Sequence, residues 1–134
     1  MKATSIYVAL ALLFVVVLGQ FNWWRYYQLT QHGVEARGVI LRSDCANHQT
    51  FQYEVQIAGR RVVDIGQQGI DKQCADLVPG DPVIVFYLPD QTTIRVTGYP
   101  KDHLRGETLF VLLSSLSLPA LIVYAYRRRR DHHA

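Results

Sequence analysis

The residues of this 134-residue chain best equipped for chemistry are its two cysteines, Cys45 and Cys74. Such a pair admits three uses. Oxidised, it is a bridge enclosing 30 residues, both cysteines counted, and it stabilises a small fold by about 3 to 4 kcal/mol through loop-closure entropy. Reduced, it exchanges with other thiols, although catalytic pairs usually stand close in sequence with a depressed pKa, and the chain has no Cys-x-x-Cys. Joined by His48 and by Asp44 or Asp71, it supplies the ligand types of a zinc site scattered over a loop. The structural bridge is the preferred reading, with no metal and no cofactor. The other two stay open as alternatives.

The remaining polar groups point away from catalysis. Asp64, Asp71, Asp76, Asp81 and Asp90 fall at strand ends and loops, where Asp is ordinary turn chemistry. A hydrolytic acid pair needs two carboxylates held across a cleft, and the chain carries no phosphate-cradling glycine loop, serine elbow or HExxH. His32 and His103 flank the polar middle of the chain and read as solvated or interfacial imidazoles. No catalytic residue is assigned, and no enzyme is expected.

The elements that must position these groups follow from the distribution of charge. From Ala3 to Trp24 the chain has 22 uncharged residues, and from Thr108 to Tyr126 it has 19. Both match the roughly 20 residues that carry a helix across about 30 Å of hydrocarbon. The expected fold class is therefore a membrane protein with two transmembrane helices flanking a small domain. A cleaved signal sequence, with Ile6 to Leu18 as its apolar region, is the alternative for the first window. An uncleaved anchor is preferred, because Trp23, Trp24, Tyr26 and Tyr27 stand where an emerging helix crosses the headgroup layer. Gly33 is expected to stop that helix after His32 by taking a left-handed conformation.

The second window ends in Arg127, Arg128, Arg129 and Arg130, opposed only by Lys101 and Arg105. The positive-inside bias places this end in the cytoplasm. With two spans, both termini are cytoplasmic and the middle is extracytoplasmic. The Arg run reads as a stop-transfer and anionic-lipid anchor rather than a nucleic-acid contact. Pro119 removes a helical bond to Ser115, so a kink is expected there, while Ser114, Ser115 and Ser117 are small enough for close helix approach. The boundaries are 1–32 for the first helix with its aromatic extension, 33–100 for the middle domain, 101–106 for a linker, 107–127 for the second helix and 128–134 for the basic tail.

The middle reads as β. The net charge of the chain is +3, but Arg25 to Glu107 holds nine Lys/Arg and ten Asp/Glu, which excludes a strongly basic nucleic-acid-binding domain. From Thr50 to Ala58, Phe51, Tyr53, Val55 and Ile57 alternate with Gln52, Glu54 and Gln56, the period of a half-buried strand. A turn at Ala58-Gly59-Arg60 leads into a second strand, Arg61 to Ile65. Val34 to Leu41 and Thr93 to Thr97 also read as extended, and the wholly apolar Val83 to Leu88 reads as a strand buried on both faces. Five short strands predict a small antiparallel barrel or sandwich.

Two stretches carry a resemblance: Tyr53-Glu54-Val55-Gln56-Ile57-Ala58-Gly59, and Gly80-Asp81-Pro82-Val83-Ile84-Val85-Phe86-Tyr87-Leu88-Pro89. The first resembles the alternating strand, and the second the Gly-Asp-x-Val-x-Val-x-Tyr-x-Pro signature, of a bacterial two-span membrane family catalogued as a domain of unknown function. The signature residues Gly59, Gly80, Asp81, Tyr87 and Pro89 read as fold punctuation. The resemblance implies the bacterial inner membrane, a β domain between spans, and a paired-cysteine subset to which Cys45 and Cys74 correspond. It implies no activity. The expected function is non-enzymatic: the extracytoplasmic domain mediates assembly with the bilayer's other envelope proteins or with itself, without nucleic acid. The alternatives are a membrane-tethered thiol redox protein using Cys45 and Cys74, and a lipid-headgroup or glycan-binding module at the membrane surface.

Overall fold

A computed structural model describes residues 3–46 and 48–132. The chain divides into two compact units, Arg25–His103 and the pair Met1–Trp24 with Leu104–Ala134. In order, the elements are α1 (Ala3–Leu18), a π-helical turn (Gly19–Trp23), α2 (Trp24–His32), β1 (Val34–Asp44), β2 (Thr50–Ile57), β3 (Arg60–Gly66), a 3₁₀ turn (Cys74–Asp76), β4 (Pro82–Leu88), β5 (Gln91–Thr97) and α3 (Pro100–His132).

The five strands form one antiparallel sheet in the order β3-β2-β1-β4-β5. Alternation in β2 decides which face is the core. Phe51, Tyr53, Val55 and Ile57 are buried and meet Ile40, Val83 and Val85, and Leu77 from the long loop closes over them. The hairpin turn places Ala58 and Gly59 at φ 51° and 74°, the left-handed pair that matches the twist of tightly joined strands. β1 and β2 slip register between Ile40 and Arg42, and such a bulge bends the strand. β4 is apolar throughout because it serves two clusters. Val83 and Val85 enter the first, while Leu88 joins Val96 and Leu29 of α2 in a second, with Phe86 and Ile94 packed against it.

The sheet is neither of the expected forms. β3 and β5 are its edges and share no ladder among the described residues. They curl toward each other instead: Arg95 Nε donates to Asp64 Oδ2 at 2.6 Å, and the Thr97 hydroxyl donates to the Gln68 carbonyl at 2.5 Å. The result is a half-barrel joined at its mouth by side chains. β3 ends at Gly66, and the chain passes into a long loop before a ladder to β5 can form.

The expectation of two flanking transmembrane helices is also overturned. Among the described residues one helix, Pro100–Arg129 of α3, is long and apolar enough to cross a membrane. α1 has 16 residues, which at 1.5 Å per residue span about 24 Å, short of the hydrocarbon core. The uncharged window runs on past Leu18, but there the backbone enters the π-helical turn, which carries the polar Gln20 and Asn22. Absence of charge did not amount to a continuous apolar helix. Residues 101–106, expected as a linker, lie in the first turns of α3.

Within the helical unit, Val111, Ser115 and Pro119 are buried at every fourth position of α3, one face of a helix. α1 meets α3 through the Tyr7 hydroxyl, which donates to the Leu116 carbonyl at 3.1 Å, and Trp23 Nε1 donates to Thr108 Oγ1 at 2.9 Å. The hydroxyls of Ser115 and Ser117 bond back to the Val111 and Leu113 carbonyls of their own helix. Gly33 does end α2, though for a steric reason: a Cβ there would lie 2.2 Å from the Leu29 carbonyl oxygen that its N–H approaches at 2.9 Å.

Candidate functional site

Cys45 follows directly on β1, and Cys74 opens the 3₁₀ turn; the two are joined in a disulfide with Cα atoms 5.6 Å apart. The bridge ties the β1–β2 loop to the β3–β4 loop. Between them lies a cleft of about 570 Å³, within the range of small-ligand sites. Its floor is apolar, from Phe51, Ile70 and Leu77, and its rim carries Gln49, Gln67, Gln68 and Gln73. Cys45 is exposed and Cys74 half-buried on one wall.

Four devices fix these loops besides the disulfide. Lys72 Nζ donates to both carboxylate oxygens of Asp81 at 2.8 and 2.9 Å. The Val78 N–H donates to Asp81 Oδ2 at 3.0 Å. The bond from Lys72, then that from Val78, hold the Asp81 carboxyl below its ordinary pKa. Gly80 N–H donates to the Ile40 carbonyl, and Ile40 N–H to the Asp81 carbonyl, both at 2.8 Å, so the loop's end is stitched to β1. At the other end Gly69 presses on Gly98, where a Cβ on Gly98 would come within 2.4 Å of the Gly69 Cα. In the β1–β2 loop, His48 and the cleft-lining Gln49 adopt φ of 56° and 55°, a conformation that costs energy for side chains of this kind.

A second cluster lies inside the half-barrel. Tyr53 is buried, and desolvation, helped by the charge of Asp64, raises its phenol above the usual value, while Arg95 pulls the other way. Arg95 is held in turn: its Nη1 donates to the Thr92 carbonyl at 2.9 Å, and Arg25 Nη2 donates to the Arg95 carbonyl at 2.6 Å. His103 Nε2 lies 2.8 Å from the Thr97 carbonyl, with its ring stacked on Tyr26 at 5.1 Å.

The residues singled out in the sequence separate accordingly. Cys45 and Cys74 come together as a disulfide, so neither sulfur offers a thiolate to zinc, and no group of three His, Cys, Asp or Glu among the described residues is placed to hold a metal ion. Of the four aromatics read as interfacial anchors, Trp23 sits in the π-helical turn, Trp24 and Tyr27 are exposed on α2, and Tyr26 turns inward to His103. Arg127, Arg128 and Arg129 are exposed near the end of α3; Lys2 and the side chain of Arg130 lie outside the described residues. Gly59 is in the β2–β3 turn, Tyr87 is half-buried against the core, and Pro89 is exposed after β4. Gly80 and Asp81 belong to the cleft's own fastening. The four glutamines escaped sequence reading, although Gly66-Gln67-Gln68-Gly69, paired amides between glycines, was a visible signal. No protein-family model, curated protein or solved structure matches this chain.

Proposed function

We propose that this is a non-enzymatic binding protein held at the bacterial inner membrane by α3, whose β domain receives an envelope partner protein in the cleft beside Cys45–Cys74. One observation carries the reading: the cleft is a concavity whose irregular walls are fixed before any ligand arrives, which removes much of the ordering cost of binding. α3 supplies the anchor, and Arg127 to Arg129 favour its end lying in the cytoplasm. The β domain is then extracytoplasmic, a compartment in which a disulfide persists.

The test is photo-crosslinking in cells from a benzoylphenylalanine placed at Gln67, with Gln56 on the outer face of β2 as the control position. A discrete adduct from position 67 alone supports the reading, and an adduct equal to the chain's own mass assigns self-association. Equal or absent adducts at both positions overturn it. The exposure of Cys45 on the cleft wall favours one further reading, thiol exchange at that sulfur. Cys74→Ala leaves Cys45 to trap a mixed disulfide, and failure to accumulate one in growing cells removes this second reading.

A further inference from the structure

We infer that the cleft's ligand is an uncharged, extended peptide segment, an assignment that rests on the proposed binding role and names its chemistry. Charge is the first argument. Among the described residues that line the cleft, Lys72 is the one charged side chain, and both oxygens of Asp81 already neutralise it. A charged ligand would surrender its hydration and meet no counter-charge.

Hydrogen-bonding capacity is the second. Each glutamine amide offers one carbonyl acceptor and two N–H donors, which matches the alternating N–H and C=O of a peptide main chain. Four such amides, Gln49, Gln67, Gln68 and Gln73, surround one cleft and are exposed. Their floor of Phe51, Ile70 and Leu77 suits a small apolar side chain. A sugar would use the same amides, but the added affinity of stacking its ring on an aromatic face is not on offer, since Phe51 is only 3% exposed. The third argument is placement. Gln68 and Gln73 bracket the two fastenings at Gly69 and Lys72, so the amides project from backbone that is tied on both sides.

The test titrates the full-length, isotope-labelled chain in phosphocholine micelles and follows the glutamine side-chain amide signals by NMR. The probes are N-acetyl-Ala-Ala-Val-Ala-amide, the same peptide with Glu at its second position, and maltotriose. The neutral peptide is expected to shift the amide signals of Gln67, Gln68 and Gln73 saturably, the Glu peptide to bind at least about tenfold more weakly, and the affinity to change little with salt. A Gln68→Ala, Gln73→Ala double variant, whose unchanged backbone spectrum reports an intact fold, is expected to lose about tenfold or more. Tighter binding of the Glu peptide, shifts with maltotriose alone, or no shifts at all overturn the inference. A persistent crosslink from position 67 in cells would then show that the binding role stands and only the ligand class has failed.

Discussion

Arg95 on β5 and Asp64 on β3 stand at opposite ends of the sheet order, and their side chains meet at 2.6 Å. That contact does at the mouth of the half-barrel what a backbone ladder does in a closed barrel. Arg95 is mostly covered and Asp64 about two-fifths exposed, so removing one partner costs more than it would in a solvated pair and less than stranding a fully buried charge.

Asp64→Asn is expected to cost about 1 to 2 kcal/mol, because it leaves the half-buried Arg95 without its counter-charge. A double-mutant cycle with Arg95→Met, read from urea midpoints in micelles, is expected to give a coupling of about 1 kcal/mol. Additive single effects would show that the edges are held by other means.

Tyr53 makes alkaline stability a probe of the same interior. Its phenol is raised by burial and by Asp64, so the unfolded chain ionises first. The stability it contributes is full below the unfolded pKa, about 10, and is lost as pH rises from there through the folded value. Urea midpoints compared between pH 8 and 11 are expected to fall more steeply for the wild type than for Tyr53→Phe. Parallel curves would mean that the phenol is not shielded in solution.

Asp81 governs the acid side, with the opposite sign. Its pKa is lowered by Lys72 and by the Val78 N–H, so the fastening it provides is present above the ordinary carboxylate pKa of about 4 and is lost as pH falls through its depressed value. Hydrogen exchange at the Val78 amide is expected to stay slow at pH 5. Asp81→Asn is expected to speed that exchange at neutral pH by about tenfold or more while the β2 amides remain protected. Unchanged exchange would relieve Asp81 of this role.

Removing the disulfide tests whether it is a staple. Cys45→Ser with Cys74→Ser is expected to destabilise the β domain by about 2 to 4 kcal/mol, since the bridge closes a long loop. The measurement is the urea midpoint, with loss of the glutamine amide dispersion as its local readout. In intact cells an impermeant maleimide is expected to label these sulfurs only after reduction. Labelling without reduction would assign free thiols, and labelling only in opened cells would reverse the proposed topology.

The strands were legible in the sequence because period-two burial in β2 is a local signal, and Phe51, Tyr53, Val55 and Ile57 express it without help from the rest of the fold. The disulfide was legible as a preference among three uses. Three features were not. The half-barrel depends on where β3 stops and on a long-range pair, Asp64 with Arg95, that no spacing encodes. The first span failed at Gly19–Trp23, where the helix changes its winding, which a count of uncharged residues does not sense. The cleft is built from glutamines in an irregular loop, and their alignment exists only once Cys74, Asp81 and Gly98 have pinned that loop in place.

The Cys45–Cys74 bond also sets the covalent topology of the molecule. It makes a closed ring that contains β2 and β3 whole, with β1 entering and β4 leaving near the same point. A single cut anywhere inside that ring, at the exposed Gln67-Gln68 for instance, separates nothing. The two pieces stay one molecule of unchanged mass but for an added water, and only after reduction do they part. A protease cut within that ring therefore shows as two pieces only on reducing gels.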